Sequence, residues 1–199
     1  MGKNTIPAII LAAGASERLG QPKALLEVEG QSLLSIISQR LASQSCHPII
    51  IVTRAELALS CLSAAPECNV VINNRPEDGR TGSVQDGLLA IGEENGRLSE
   101  SALIVPIDRP GWSVSTLQKI LSADSCACPS QDGRGAHPLL IGKDEIIAIM
   151  SATRNRPLHE LVNPSRIQVE DMFLHINIDT PEDIAELARW AASSDGLSR

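Results

Sequence analysis

Short runs in which nearly every residue is apolar alternate along the chain with longer stretches where apolar residues recur every three or four positions. Ile6–Ala12 shows no polar alternation, which suits a strand covered on both faces, as in a parallel sheet lying under helices. Pro48–Thr53 (PIIIVT) and Ala102–Ile107 (ALIVPI) have the same character, and Asn69–Ile72 is a further strand. Between them, Ser32–Leu41 sets Leu33, Leu34, Ile37 and Leu41 on one helical stripe. Leu57–Leu62, Ser83–Gly92 (Val84, Leu88 and Ile91 in register) and Val114–Leu121 read as helices too.

The pattern loosens from Ser125 onward. Short strands around Cys126 and at Pro138–Ile141 flank a loop, Ser130–His137, and Ile167–Val169 and Leu174–Ile178 are strand candidates. The closing helix has a clear start: Thr180 as N-cap, Pro181 at the first helical position and Asp183 at N3. Its stripe is Ile184, Leu187, Ala188 and Ala191. Strand–helix alternation up to about residue 123 predicts an α/β fold of layered type with a mostly parallel central sheet. With no repeat, low-complexity tract or linker, residues 1–199 read as one domain, and 193–199 as a frayed tail.

Composition narrows the function classes. Of 199 residues 43% are apolar, enough for a real core, yet there are only two Trp, one Phe and no Tyr. That scarcity argues against a stacking platform for single-stranded nucleic acid. With 17 basic against 24 acidic side chains the net charge is −7, so a nucleic-acid backbone is repelled. Five cysteines without C-x-x-C spacing exclude the usual zinc-finger patterns and point to a reducing compartment. Cys126 and Cys128 then read as small hydrophobes, with a redox role as the competing view. Lys3 and the run Ile6–Ala15 mimic a short signal peptide, but Gly14 breaks the run and no stretch approaches a membrane span. A cytoplasmic protein is expected, with no nucleic-acid or membrane partner.

Candidate chemistry concentrates in Leu11–Leu26, LAAGASERLGQPKALL, which leaves the first buried strand and enters a polar loop. In open parallel sheets ligands bind beyond the carboxyl ends of strands. Ala12, Ala13 and Gly14 allow close backbone approach, and successive N–H groups can cradle phosphate oxygens. Arg18 and Lys23 add two cations suited to a polyphosphate. The loop is neither a P-loop nor a G-x-G-x-x-G fingerprint.

The motif LAAG-x-S-x-R-x-G-x-P-K resembles the signature of the MobA-like NTP transferases, the nucleotidyltransferases related to the molybdenum cofactor enzymes. The AAG and Pro22-Lys23 forms look closer to the molybdenum cofactor cytidylyltransferase branch. Other segments resemble family motifs in the same order: Asn73, Gly79, Ser83 and Gly87-Leu88; VPIDRP at Val105–Pro110; Gly135-Ala136-His137-Pro138; and NIDTPEDI at Asn177–Ile184. The resemblance implies a three-layer, Rossmann-like nucleotidyltransferase fold. It implies nucleotide binding by Leu11, Ala12, Ala13, Gly14, Lys23, Asn73, Gly79 and Ser83, with Arg18, Lys23 and Asp108 catalytic. It further implies Mg²⁺ held by Asp108 and Asp179, and an acceptor contact at His137. The expected partners are a nucleoside triphosphate, CTP favoured, and a phosphorylated small molecule such as molybdopterin, with handover of the product to a client enzyme. Ser151–Leu161 (SATRNRPLHEL) departs from the cytidylyltransferase segment G-D-x-G-A-R and looks more like the P-L-x-x-L pattern of other relatives.

The chemistry of such a transfer matches these residue types. An α-phosphorus is attacked in line while pyrophosphate leaves, so catalysis is mostly positioning and charge neutralisation. Mg²⁺ takes one or two protein carboxylates and fills its other positions with phosphate and water. Each residue also has a plainer role: Arg18 and Lys23 as solvated charges, Asp108 as a strand terminus, Asp179 and Ser83 at helix starts, Asn73, Gly79 and His137 as loop residues. The competing functions are a sugar-phosphate or related nucleotidyltransferase using another NTP, and a non-catalytic nucleotide-binding module of the same fold.

Overall fold

The structure is a computed structural model that describes residues 5–96 and 99–193. In chain order the first half contains β1 (Ala8–Leu11), β2 (Glu27–Val28), β3 (Gln31–Ser32), α1 (Leu33–Ser43), β4 (Ile49–Thr53), α2 (Ala58–Ala64), β5 (Asn69–Ile72) and α3 (Arg80–Asn95). The second half contains β6 (Ser101–Pro106), α4 (Val114–Leu121), β7 (Ala127–Gln131), β8 (Arg134–Gly135), β9 (Leu139–Gly142), α5 (Lys143–Ser151), β10 (Ser165–Gln168) and α6 (Asp183–Ala192).

Strands β5, β4, β1 and β6 are parallel neighbours in that spatial order. β9 runs antiparallel beside β6, and β7 and β10 extend the sheet beyond it, with β8 hairpinned on β7. β1 is buried on both faces, as its unbroken apolar run predicts. Ala8 and Ile10 face a core shared with Leu34 and Ile37 of α1, Leu117 of α4 and Leu187 of α6. Ile9 and Leu11 face the opposite core, with Val84 and Leu88 of α3 and Ile146 and Ile149 of α5. Helices therefore cover both faces of a mostly parallel sheet, the three-layer α/β arrangement expected.

Two close approaches stand out in this packing. A Cβ on Gly87 of α3 would lie 2.6 Å from Ile9 Cγ2, so the helix can seat this deeply on β1 only with glycine there. On the other face Arg40 of α1 is 5% exposed and lies between both tryptophans, its Cζ 5.3 Å from the Trp112 ring centroid and 5.0 Å from that of Trp190. Its Nη1 donates to the Trp112 carbonyl at 2.9 Å, so one buried guanidinium joins α1, the segment after β6, and α6.

Several expectations need correction. Leu174–Ile178 forms no strand: Leu174 N–H bonds Asp171 O at 3.1 Å and Ile176 N–H bonds Phe173 O at 2.9 Å. Its alternate apolar residues enter the core as a strand's would, but local turns take up the N–H groups of Leu174 and Ile176, and only Ile178 reaches a distant segment, at Asp108 O. Ser130–His137 contains a hairpin, in which Asp132 (φ 52°) and Gly133 (φ 74°) make the left-handed two-residue turn joining β7 to β8. Helix α5 falls where the loosened pattern predicts no helix. Helix α3 begins a turn early, at Arg80 with Gly79 as N-cap, which removes the N-cap reading of Ser83. Helix α6 begins at Asp183, whose Oδ2 accepts from the N–H groups of Asp179 and Thr180. The Thr180 hydroxyl donates to the same oxygen rather than capping the helix. Of the tail 193–199, residues 194–199 lie outside the described residues. Among the described residues no helix is long and apolar enough to cross a membrane.

Ordinarily Gly→Ala inside a helix stabilises by about 1 kcal/mol. Gly87→Ala should do the opposite and destabilise by about 1–3 kcal/mol, because the methyl overpacks against Ile9. Urea unfolding measures it, and a midpoint raised above wild type would refute the close approach.

Candidate active site

The site lies beyond the carboxyl ends of β1 and β6. Ala12 N–H donates to Val52 O at 2.8 Å and its carbonyl accepts from Thr53 Oγ1 at 3.3 Å, so β4 holds the chain extended where it leaves β1. The loop then turns at Ser16 (φ 54°), whose carbonyl accepts from Leu19 and Gly20 N–H. A Cβ on Gly14 would meet nothing within 4 Å, so this backbone borders open space. The loop ends in a single 3-10 turn, Lys23–Leu25, entered through Pro22.

That turn points Lys23 inward. Its side chain is only 12% exposed, and Nζ lies 2.8 Å from Asp179 Oδ1 and 3.8 Å from Asp108 Oδ2. Arg18 Nη2 pairs with the other oxygen of Asp179, but from a largely exposed side chain. Lys23 reaches these carboxylates across 156 positions of sequence in the case of Asp179. Backbone bonds explain how: Ile107 N–H donates to Leu11 O at 3.1 Å and Ile178 N–H to Asp108 O at 3.0 Å. The hydrogen bond from Lys23 and its charge, with that of Arg18, hold the Asp179 carboxyl below the usual carboxylate range.

A cavity of about 280 Å³ opens beside this ion cluster. Of the expected residues, Leu11, Ala12, Ala13, Gly14, Lys23, Gly79, Ser83 and Asp108 line it. Asn73 does not: it is 2% exposed and sits behind the wall, donating from Nδ2 to Ser83 Oγ at 3.0 Å. Arg18 and Asp179 stand at the ion cluster, outside the lining. His137 is also off the wall. Its Nδ1 is buried and has no hydrogen-bond partner among the described residues, and burial, with the charges of Arg80 and Arg109, pushes its pKa down to about 3. Wall residues that the sequence reading assigns no site role include Pro76 and Arg80, and Ser16 of the loop motif. Arg80 could have been found as the first residue of α3, had the helix start been placed at Gly79.

The donor set suits a hard divalent ion. Two carboxylates converge on one cation, the Lys23 ammonium, and both offer oxygen alone. Among the described residues no group of three or more His, Cys, Asp or Glu side chains clusters as a metal site. A cation here would have to complete its shell with substrate oxygens and water, which is the habit of Mg²⁺. The cysteines offer no alternative centre: all are free and buried, and burial pushes the Cys126 thiol up to about 12 and raises that of Cys128.

The MobA-like NTP transferase domain is the family whose model matches, over residues 8–170. This chain belongs to that family. Family membership makes it a nucleotidyltransferase. It is 31% identical over 156 residues to nicotine blue oxidoreductase of Paenarthrobacter nicotinovorans, covering 71% of this chain and 74% of that protein. Molybdenum cofactor cytidylyltransferase of Escherichia coli (strain K12) is 28% identical over 187 residues, 90% of this chain and 94% of that one. The solved structure of Rv0371c from Mycobacterium tuberculosis H37Rv shares the fold, with a TM-score of 0.76 at 18% identity over 93% of this chain and 98% of that one. That protein has also been solved in complex with manganese, with a TM-score of 0.74 at 16% identity over 94% of this chain and 99% of that one. The named activities of the relatives differ, so the particular substrates must be argued from the site.

His137, half-buried with its Nδ1 shielded from solvent, makes stability depend on pH. Its folded pKa lies below the unfolded value of about 6.5, so the unfolded state binds the extra proton between that pH and about 3. Stability therefore falls on acidification through this window, by up to about 1.4 kcal/mol per pH unit from this residue. His137→Asn should flatten the decline of the unfolding midpoint between pH 6.5 and 4.5. An equally steep decline in the variant would show that other groups cause it.

Proposed function

We propose that this nucleotidyltransferase moves CMP from CTP to the phosphate of a small-molecule acceptor of the molybdopterin class, uses Mg²⁺ and releases pyrophosphate. One observation carries the reading: the Lys23 ammonium is held between Asp108 and Asp179 beside a cavity walled by the Leu11–Gly14 backbone. The preference for CTP draws on likeness to the Escherichia coli cytidylyltransferase and on the Ala13 and Pro22-Lys23 forms of the loop.

In this reading the N–H groups of Ala13 and Gly14 bind triphosphate oxygens, and the first turn of α3, from Gly79 to Ser83, borders the nucleoside. Lys23 and Arg18 exchange their bonds with Asp179 for bonds to the phosphates, following the growing negative charge of the leaving group. Asp108 and Asp179 would hold Mg²⁺, which supplies charge neutralisation at the phosphates when bound. An acceptor phosphate oxygen attacks the α-phosphorus, the bond to the bridging oxygen breaks, and pyrophosphate departs with that electron pair. The attacking phosphate is already anionic near neutral pH, so no side chain has to remove a proton. His137, kept neutral beside Arg80 and Arg109, offers an uncharged ring nitrogen on the acceptor side. The nucleotide-linked product would then pass to a client enzyme.

The test begins with thermal shifts for CTP, GTP, ATP and UTP, each with and without Mg²⁺. A nucleotide at about 100 times its dissociation constant should raise the midpoint by about 5–10 °C. A Mg²⁺-dependent rise with CTP alone supports cytidylyl transfer, while a rise with GTP alone replaces the base assignment. Pyrophosphate release in the presence of molybdopterin should fall about 10²–10³-fold in Lys23→Ala and in Asp108→Ala, with both variants still folded. Wild-type turnover in Asp108→Ala would overturn the mechanism.

A further inference from the structure

Arg154 lies in the segment Ser151–Leu161 that departs from the cytidylyltransferase pattern, in the loop after α5, yet its side chain reaches the back of the cavity wall. Nη1 and Nη2 pair with the two oxygens of Asp86 at 2.7 and 2.9 Å, Nε donates to Asp78 Oδ2 at 3.3 Å, and Nη2 also donates to Asn73 Oδ1 at 3.1 Å. The Arg154 carbonyl accepts Gly82 N–H at 3.0 Å, in the first turn of α3. The guanidinium also lies on Gly82, where a Cβ would come within 3.0 Å of Nη2.

These bonds decide which way Asn73 points. Its Oδ1 receives Arg154 Nη2 and the Arg75 N–H (2.8 Å), both donors only, so that atom is the carbonyl oxygen. The amide NH₂ therefore faces Ser83 and donates to its Oγ at 3.0 Å. The Ser83 oxygen is thus already an acceptor, and among the described residues nothing accepts its hydroxyl proton. Ser83 lines the cavity, so that proton is available to a ligand. Asp78, held by Arg154 and by Arg75 at 3.2 Å, belongs to the turn Pro76–Asp78 on the same rim.

We propose that Arg154 is a positioning residue for the nucleotide: it orients the Asn73 amide so that Ser83 presents its hydroxyl as a donor to a nucleotide oxygen, and it fixes the Pro76–Gly79 rim. The inference rests on the cavity taking the nucleotide. It gives the divergent segment a role on the nucleotide side of the site. Lysine cannot replace this guanidinium, because one ammonium cannot satisfy a bidentate carboxylate and reach Asp78 and Asn73 together.

The experiment is calorimetric titration of the full chain with CTP and Mg²⁺, and with GTP and Mg²⁺ in parallel, for wild type, Arg154→Lys, Ser83→Ala and the double variant. Arg154→Lys and Ser83→Ala should each raise the nucleotide Kd about tenfold, and the double variant should bind about as weakly as the weaker single one. In turnover, Arg154→Lys should raise KM for the nucleotide and leave kcat within about twofold. Should Arg154→Lys fail to fold, Asp86→Asn, which removes the carboxylate charge that anchors the guanidinium, carries the same comparison. Wild-type Kd in the Arg154 variant, or losses that multiply in the double variant, overturns the role of Arg154 and leaves the nucleotide reading standing. A wild-type protein that binds neither nucleotide overturns both.

Discussion

A strand with parallel neighbours along both edges and helices over both faces has no free surface, and β1 is in that position. All its side chains are buried, alternately in the two cores, and its backbone pairs with β4 on one side and β6 on the other. Nothing about β1 can shift without disturbing both layers. The ligand loop is the direct continuation of this strand, so its first residues leave from the most constrained point of the fold. The order of strands also reverses here, since β4 and β6 flank β1 from opposite sides. The crevice at such a switch point is where α/β proteins bind ligands, and the cavity occupies it.

Around that fixed point the charges come from three distant stretches: the loop after β1, the end of β6 and the segment leading into α6. Their pairing contributes little to stability, because Asp179 and Arg18 are substantially exposed. Its value lies in poise. The cations rest against carboxylates of comparable charge, so an incoming polyphosphate and its metal exchange partners within the cluster instead of stripping water from bare ions. The backbone bond from Ile178 to Asp108 brings the two carboxylates to one place through the main chain, without relying on the side chains themselves.

How much of this could be read in advance depends on what kind of signal each element carries. The buried strands β1, β4 and β6 and the helix α4 were legible because burial on two faces, or on one stripe, leaves a strong pattern. The Leu11–Lys23 loop was legible because its residue types are unusual together. Leu174–Ile178 misled because alternation reports which side chains are buried, and a coil can bury alternate residues without pairing as a strand. The hairpin at Asp132-Gly133 carries a signal, a left-handed dipeptide, although the polar stretch around it reads as a loop. Arg154 had none: its partners Asn73, Asp78 and Asp86 are scattered in sequence and meet only in the folded chain.

The two tryptophans are the chain's only indole chromophores, there is no tyrosine, and both rings stack on Arg40. Excited with ultraviolet light, the protein therefore emits from essentially one address, the junction where α6 closes on α1 and the segment after β6. A change in that emission is an optical readout of whether the closing helix is seated, and hence of whether the carboxylate that precedes it has been delivered to the site.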